Sequence, residues 1–84
     1  MYLYLGSDTV VREGDILGIF DLDITSQSWR TRAFLRAAEQ AGQVESATDD
    51  LPKSFVLCRG RDGKGQRVIL AQPNSATLVK RLTR

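Results

Sequence analysis

Residues 15–23 read DILGIFDLD, and the conformation of this stretch sets the architecture of the rest. Ile16, Leu17, Ile19 and Phe20 crowd around Gly18, with Gly14 behind them and Asp21 and Asp23 ahead. An apolar run this short, rich in Ile and Phe and bounded by turn-forming residues, is too brief for a lone helix and reads as a buried central strand. Strict alternation points Ile16, Gly18, Phe20 and Leu22 to one side and Leu17, Ile19, Asp21 and Asp23 to the other. Both faces then need cover, one from a helix of the same chain and one from a neighbouring subunit.

Outward from this strand the chain divides by period. Before it, YLYL at 2–5 alternates as a strand, Gly6-Ser7-Asp8 supplies turn chemistry, and Thr9-Val10-Val11 is β-branched, so residues 1–23 read as a three-strand meander. After it the period becomes helical. Ser26 or Ser28 can cap a helix running to about Ala41, with Gly42 a natural left-handed stop. At about 100° per residue, Thr31, Phe34, Leu35, Ala37, Ala38 and Ala41 share the face that covers the sheet, while Trp29, Arg32 and Arg36 share the other.

Two readings of Trp29 stand. A tilted first turn would fold the ring onto the sheet edge; otherwise Trp29, Arg32 and Arg36 form an aromatic anchor flanked by cations, suited to an oligomer interface ahead of nucleic acid. Arg30, Arg32 and Arg36 also make sense simply as a solvated helical face.

From Gln43 to Lys53 the hydrophobic period disappears, and Leu51-Pro52 ends what reads as an irregular loop. SFVLCRG at 54–60 and RVILAQ at 67–72 are β-rich runs around RDGKGQ, where Asp62-Gly63 signals a tight hairpin turn. That end carries Arg59, Arg61, Lys64 and Arg67 against Asp62. A charged tip keeps a sheet edge soluble, and it can equally reach into a DNA groove. Finally NSATLVKRLTR reads as a short helix capped by Asn74 or Ser75, burying Leu78, Val79 and Leu82 and gathering Lys80, Arg81 and Arg84 where cations suit the helix dipole.

Composition narrows the chemistry. The 84 residues are enough for one domain, 1–84, of modest core, the size at which disulfides, metals or oligomerisation commonly help. A single cysteine, Cys58, allows no internal disulfide, and with no histidine there is no credible zinc or copper set, so no cofactor is expected. Cys58 reads as a reduced core residue of a cytoplasmic protein. MYLYLGSD offers neither a signal-peptide pattern nor a membrane span. Residues 1–23 hold Arg12 against Asp8, Glu13, Asp15, Asp21 and Asp23, whereas the remainder holds eleven bases against five acids. Such a lopsided chain suits a polyanion partner or subunits that attract each other end to end.

No enzyme is expected. Asp21 and Asp23 lie two apart on a strand with Asp15 nearby, an arrangement that could share a metal ion but equally describes a solvated strand end. Gly60, Gly63 and Gly65 have neither the P-loop nor the dinucleotide spacing.

YLYLGSDTVV, DILGIFD, PKSFV at 52–56 and SATLVKR, in this order over nearly the whole chain, resemble the RemA/RemB family of small bacterial extracellular-matrix regulators. The resemblance implies a cytoplasmic regulator of biofilm-matrix gene expression, and its RemA branch implies a DNA-binding protein assembled into rings that present repeated basic surfaces. In that branch DNA contact is attributed to an arginine just before the central strand and an arginine pair before the next one. Those positions fall here on Asp15, Leu51 and Pro52, so contact with double-stranded DNA is expected instead on Arg12, Lys53, Arg59, Arg61 and Lys64.

These readings converge on an α+β fold: a small, mostly antiparallel sheet of about five strands with one covering helix and a short C-terminal helix. The expected function is that of a homo-oligomeric, ring-forming DNA-binding regulator with no membrane partner. The alternative is an oligomeric protein–protein interaction module, assembling alone or with a related family member, that has lost direct DNA binding.

Overall fold

The computed structural model describes residues 1–6, 8–22 and 28–82. In chain order these form β1 (Tyr2–Tyr4), β2 (Val10–Arg12), a 3-10 turn (Glu13–Asp15), β3 (Ile16–Asp21), α1 (Trp29–Gln40), β4 (Val44–Ser46), β5 (Ser54–Arg59), β6 (Gln66–Ala71) and α2 (Ser75–Leu82). The fold is α+β, with a four-stranded sheet ordered β3-β5-β6-β4 and a separate two-stranded sheet of β1 and β2. All pairings are antiparallel except that of β4 with β6.

The expected meander is therefore corrected: β3 pairs with β5, not with β2. The alternation of β1 and β2 explains why. Leu3 and Val11 point inward and, with Leu5, are buried against Val56, Cys58, Ile69, Ala71 and Leu78. A hairpin laid across the sheet buries that apolar face, whereas a hairpin added alongside would leave it in water. The 3-10 turn at Glu13–Asp15 carries the chain from one layer to the other.

The strict alternation expected for β3 is also corrected. Ile16 pairs with Cys58 and Gly18 with Leu57, so Leu17 is the extra residue of a bulge and is 57 % exposed. Past the bulge the faces exchange, and Ile16 and Ile19 both pack on the hairpin side. Phe20 turns to the other side, where its ring stacks on Phe55 with centroids 5.0 Å apart. Gly18 makes this possible: a Cβ there would stand 2.6 Å from Phe20 Cε2.

The second layer is α1. Ala38 is buried, and Phe34 and Leu35 pack with it against Phe55, Val68, Leu57 and Leu70. The hairpin thus covers one sheet face and α1 the other, although Leu17 and Phe20 of β3 remain exposed. Ala37 and Ala41, expected on the packed face, are exposed. Ser28 is the cap, its Oγ accepting the Arg30 N–H at 3.2 Å, and Gly42 ends the helix at φ 71°. Ser26, like Asp23 and Arg84, lies outside the described residues.

β4 corrects the reading of 43–53 as wholly irregular. Its pairing starts where Val68 N–H donates to Gln43 O at 2.8 Å, and Val44 faces α1's core. The expected tight turn at Asp62-Gly63 is instead a longer loop from Gly60 to Gly65, closed by Gly60 N–H donating to Gly65 O at 3.1 Å. Gly63 and Gly65 supply its positive φ angles of 75° and 67°.

α2 is capped twice. Asn74 Oδ1 accepts the Thr77 N–H at 2.9 Å, and the Ser75 N–H and hydroxyl both donate to the Asp21 carboxylate at 2.8 Å. Leu78 is fully buried, which stabilises by about 1.5–3 kcal/mol for a side chain of this size. Val79, expected to bury, is exposed. Among the described residues no helix is long and apolar enough to cross a membrane.

Candidate nucleic-acid interface

The loop joining β5 to β6 brings together three of the cations expected to meet DNA. Arg59 ends β5, Arg61 and Lys64 lie in the loop, and all three are exposed. Arg67, counted with them from sequence, belongs elsewhere. Its Nη2 donates to Glu45 Oε1 at 2.6 Å, an ion pair across β6 and β4 that also holds the guanidinium protonated above its ordinary range. The other Glu45 oxygen lies 4.0 Å from Arg61 Nη2. Glu45 escaped the sequence reading because its strand did, and it lowers the positive charge at this end.

Arg12 points outward from β2, across from Tyr2. The turn after it leads into Ile16, which pairs with Cys58, so the topology carries Arg12 toward the same end of the sheet as Arg59. Glu13 and Asp15 follow it there. Lys53 is exposed at the opposite end of β5, where its N–H donates to Ala71 O at 2.9 Å and its carbonyl accepts from Leu22 at 3.0 Å. A strand of this length spans about 20 Å. Within one chain the five cations therefore make two separated groups, with Lys53 alone in the second.

Trp29, Arg32 and Arg36 all lie exposed on α1. Trp29 is 67 % exposed, so the reading that folds its ring onto the sheet edge is corrected. The Arg30 guanidinium lies 5.5 Å from the indole centroid, close enough for a cation–π contact. Beside it runs a groove of about 270 Å³ lined by Phe20, Arg30, Thr31, Phe34, Phe55 and Leu57. β3 has no hydrogen-bonded strand on its outer side among the described residues, and Leu17 and Phe20 are exposed along it. Sequence reasoning missed this groove because its walls come from β3, β5 and α1, which are brought together only by the pairing of β3 with β5 and the packing of α1 on them.

The carboxylates have structural duties. The Ser75 N–H, and then its hydroxyl, hold Asp21 below the usual carboxylate range, and the pair fixes α2 to the end of β3. Among the described residues no three His, Cys, Asp or Glu side chains gather to hold a metal ion. Cys58 has none of its surface exposed, and burial pushes its thiol above the ordinary range. A wider, polar hollow of about 640 Å³ has Asp8, Asp49 and Asp50 on its walls with Arg81, whose Nη1 donates to Tyr4 O at 2.8 Å. No protein-family model matches the chain, and no curated protein matches it.

Proposed function

We propose that this protein is a cytoplasmic, non-enzymatic bacterial regulator of extracellular-matrix gene expression, of the RemA/RemB kind, that binds double-stranded DNA as an oligomer. The observation that carries the reading is the exposed trio Arg59, Arg61 and Lys64 on a glycine-shaped loop at one end of the sheet. Cations held this way can follow a phosphate backbone without reading bases, and each phosphate neutralised adds a salt-dependent increment to affinity. A closed oligomer would present the trio repeatedly, so interactions weak in one chain add through avidity.

The test is a titration of labelled duplex DNA at low and physiological salt, on protein of established oligomeric mass. Binding that falls steeply with salt is expected. Replacing Arg59, Arg61 and Lys64 by alanine should flatten the slope of log affinity against log salt by about 0.9 for each phosphate no longer neutralised.

A second reading is favoured by Leu17, Phe20 and Trp29, which expose apolar surface beside a strand edge open to solvent. That is the equipment of a protein-interaction module. An intact oligomer that binds no duplex at low salt would select it.

A further inference from the structure

The β1–β2 hairpin buries one face and presents the other. Tyr2 and Tyr4 leave β1 on that outer face, 65 % and 64 % exposed, and the register sets Arg12 opposite Tyr2 and Val10 opposite Tyr4. Two residues apart on one strand, the tyrosines stand about 7 Å from each other on the same side. A second arginine closes the other edge. Leu5 N–H donates to Thr9 O, so Tyr4, one residue earlier, turns its carbonyl away from β2, and the Arg81 guanidinium of α2 donates to it there at 2.8 Å. That bond occupies one N–H of a group rich in donors, and Arg81 is exposed. Neither Arg12 nor Arg81 forms an ion pair with an acid among the described residues. The nearby carboxylates lie off the face: Asp8 between the two strands at one end of the hairpin, Glu13 past β2 at the other, and Asp49 and Asp50 on the hollow beyond Arg81.

We infer that this face binds a single-stranded nucleic acid, with one base stacked on each tyrosine and the phosphates held between Arg12 and Arg81. A duplex hides the flat faces of its bases in the stack and shows only their edges, whereas an unpaired strand can lay its bases on exposed rings. Rings about 7 Å apart suit bases that have left each other's stack. A cation on each edge meets the backbone that such a strand carries, and an apolar protein partner would find little aliphatic surface here beyond Val10. The acids give the path a direction. Asp8 and Glu13 repel a polyanion that runs along the strands, so it crosses the hairpin instead, from Arg81 over Tyr4 and Tyr2 to Arg12. The footprint is about two bases, which makes the binding modest and sensitive to salt. The site shares Arg12 alone with the duplex contacts expected above, so the two readings stand or fall separately.

The probe is fluorescently labelled oligothymidylate of about 12 nucleotides, titrated by anisotropy at low salt beside a duplex of equal length. Tyr2→Thr with Tyr4→Thr keeps strand-forming residues and should weaken oligothymidylate binding about tenfold or more, with little effect on the duplex. Tyr2→Phe with Tyr4→Phe should preserve it, since the ring does the stacking. Replacing Arg59, Arg61 and Lys64 by alanine should leave the single strand bound. Circular dichroism checks that each variant folds. Independently of any variant, oligothymidylate carrying 5-iododeoxyuridine, irradiated on the unaltered protein, should crosslink to Tyr2 or Tyr4 in a peptide map. Unaltered protein that leaves the single strand free at low salt overturns the proposal, as do folded threonine variants that bind it unchanged. Crosslinks confined to Trp29 or to the loop between β5 and β6 overturn it too. A protein that holds the single strand through the tyrosines but no duplex supports this site and overturns the duplex reading.

Discussion

Among single residues, small changes should have outsized effects where the backbone leaves no room. Gly18 lies under the Phe20 ring, and a methyl at that position would force the ring away from Phe55. Gly18→Ala should destabilise the fold by about 1–3 kcal/mol, read as a lower urea midpoint with an unchanged slope. Asp21 acts by charge. Its carboxyl titrates lower in the folded protein than in the unfolded chain because the Ser75 N–H and hydroxyl favour the ionised form. The stability it contributes is fully present above the unfolded value of about 3.9 and is lost as pH falls through the lower folded value. Asp21→Asn should therefore lower the urea midpoint at neutral pH, with the gap from the unaltered protein closing in strong acid. A gap independent of pH would mean that the charge plays no part in holding α2. Ser54 shows the complementary case: fully buried, it is satisfied because its hydroxyl donates to Pro73 O at 2.7 Å.

Among the elements, legibility followed periodicity. α1 could be read, with its cap at Ser26 or Ser28 and its end near Ala41, because a 12-residue helix repeats its apolar face several times, and β5 and β6 because Phe55, Val56, Val68 and Ile69 are β-forming residues buried on both faces. β4 could not, since three residues hold too little pattern and its partner, β6, is distant in sequence. Nor could the destination of the hairpin: Leu3 and Val11 announce an apolar face but not the surface that covers it. β4 matters because it delivers Glu45 to Arg67 and Arg61. Glu45→Gln removes that charge from a partly exposed site, so the stability lost should be no more than about 1 kcal/mol. If the DNA-binding reading holds, the same change should tighten duplex binding at low salt, by freeing positive charge at the cationic end; weaker binding would mean that Glu45 positions the arginines productively.

Across the whole molecule, the acidic N-terminal part and the basic remainder do not separate into two halves in space. The hairpin crosses the sheet, so Arg12, Glu13 and Asp15 come toward the end that carries Arg59. The cations of the candidate site were legible as residue types, but their division into Arg12, Arg59, Arg61 and Lys64 toward one end and a distant Lys53 depends on strand length and topology. The core leaves a practical handle of another kind. Cys58 is the sole thiol in the chain, fully enclosed on a strand with neighbours on both sides. A disulfide reagent can reach it only when β5 comes apart from its covering layers, so the rate of colour release in native buffer becomes a clock for that opening. Where reclosing outpaces the chemistry, the clock reads an equilibrium, and each loss of about 1.4 kcal/mol in stability should quicken it about tenfold.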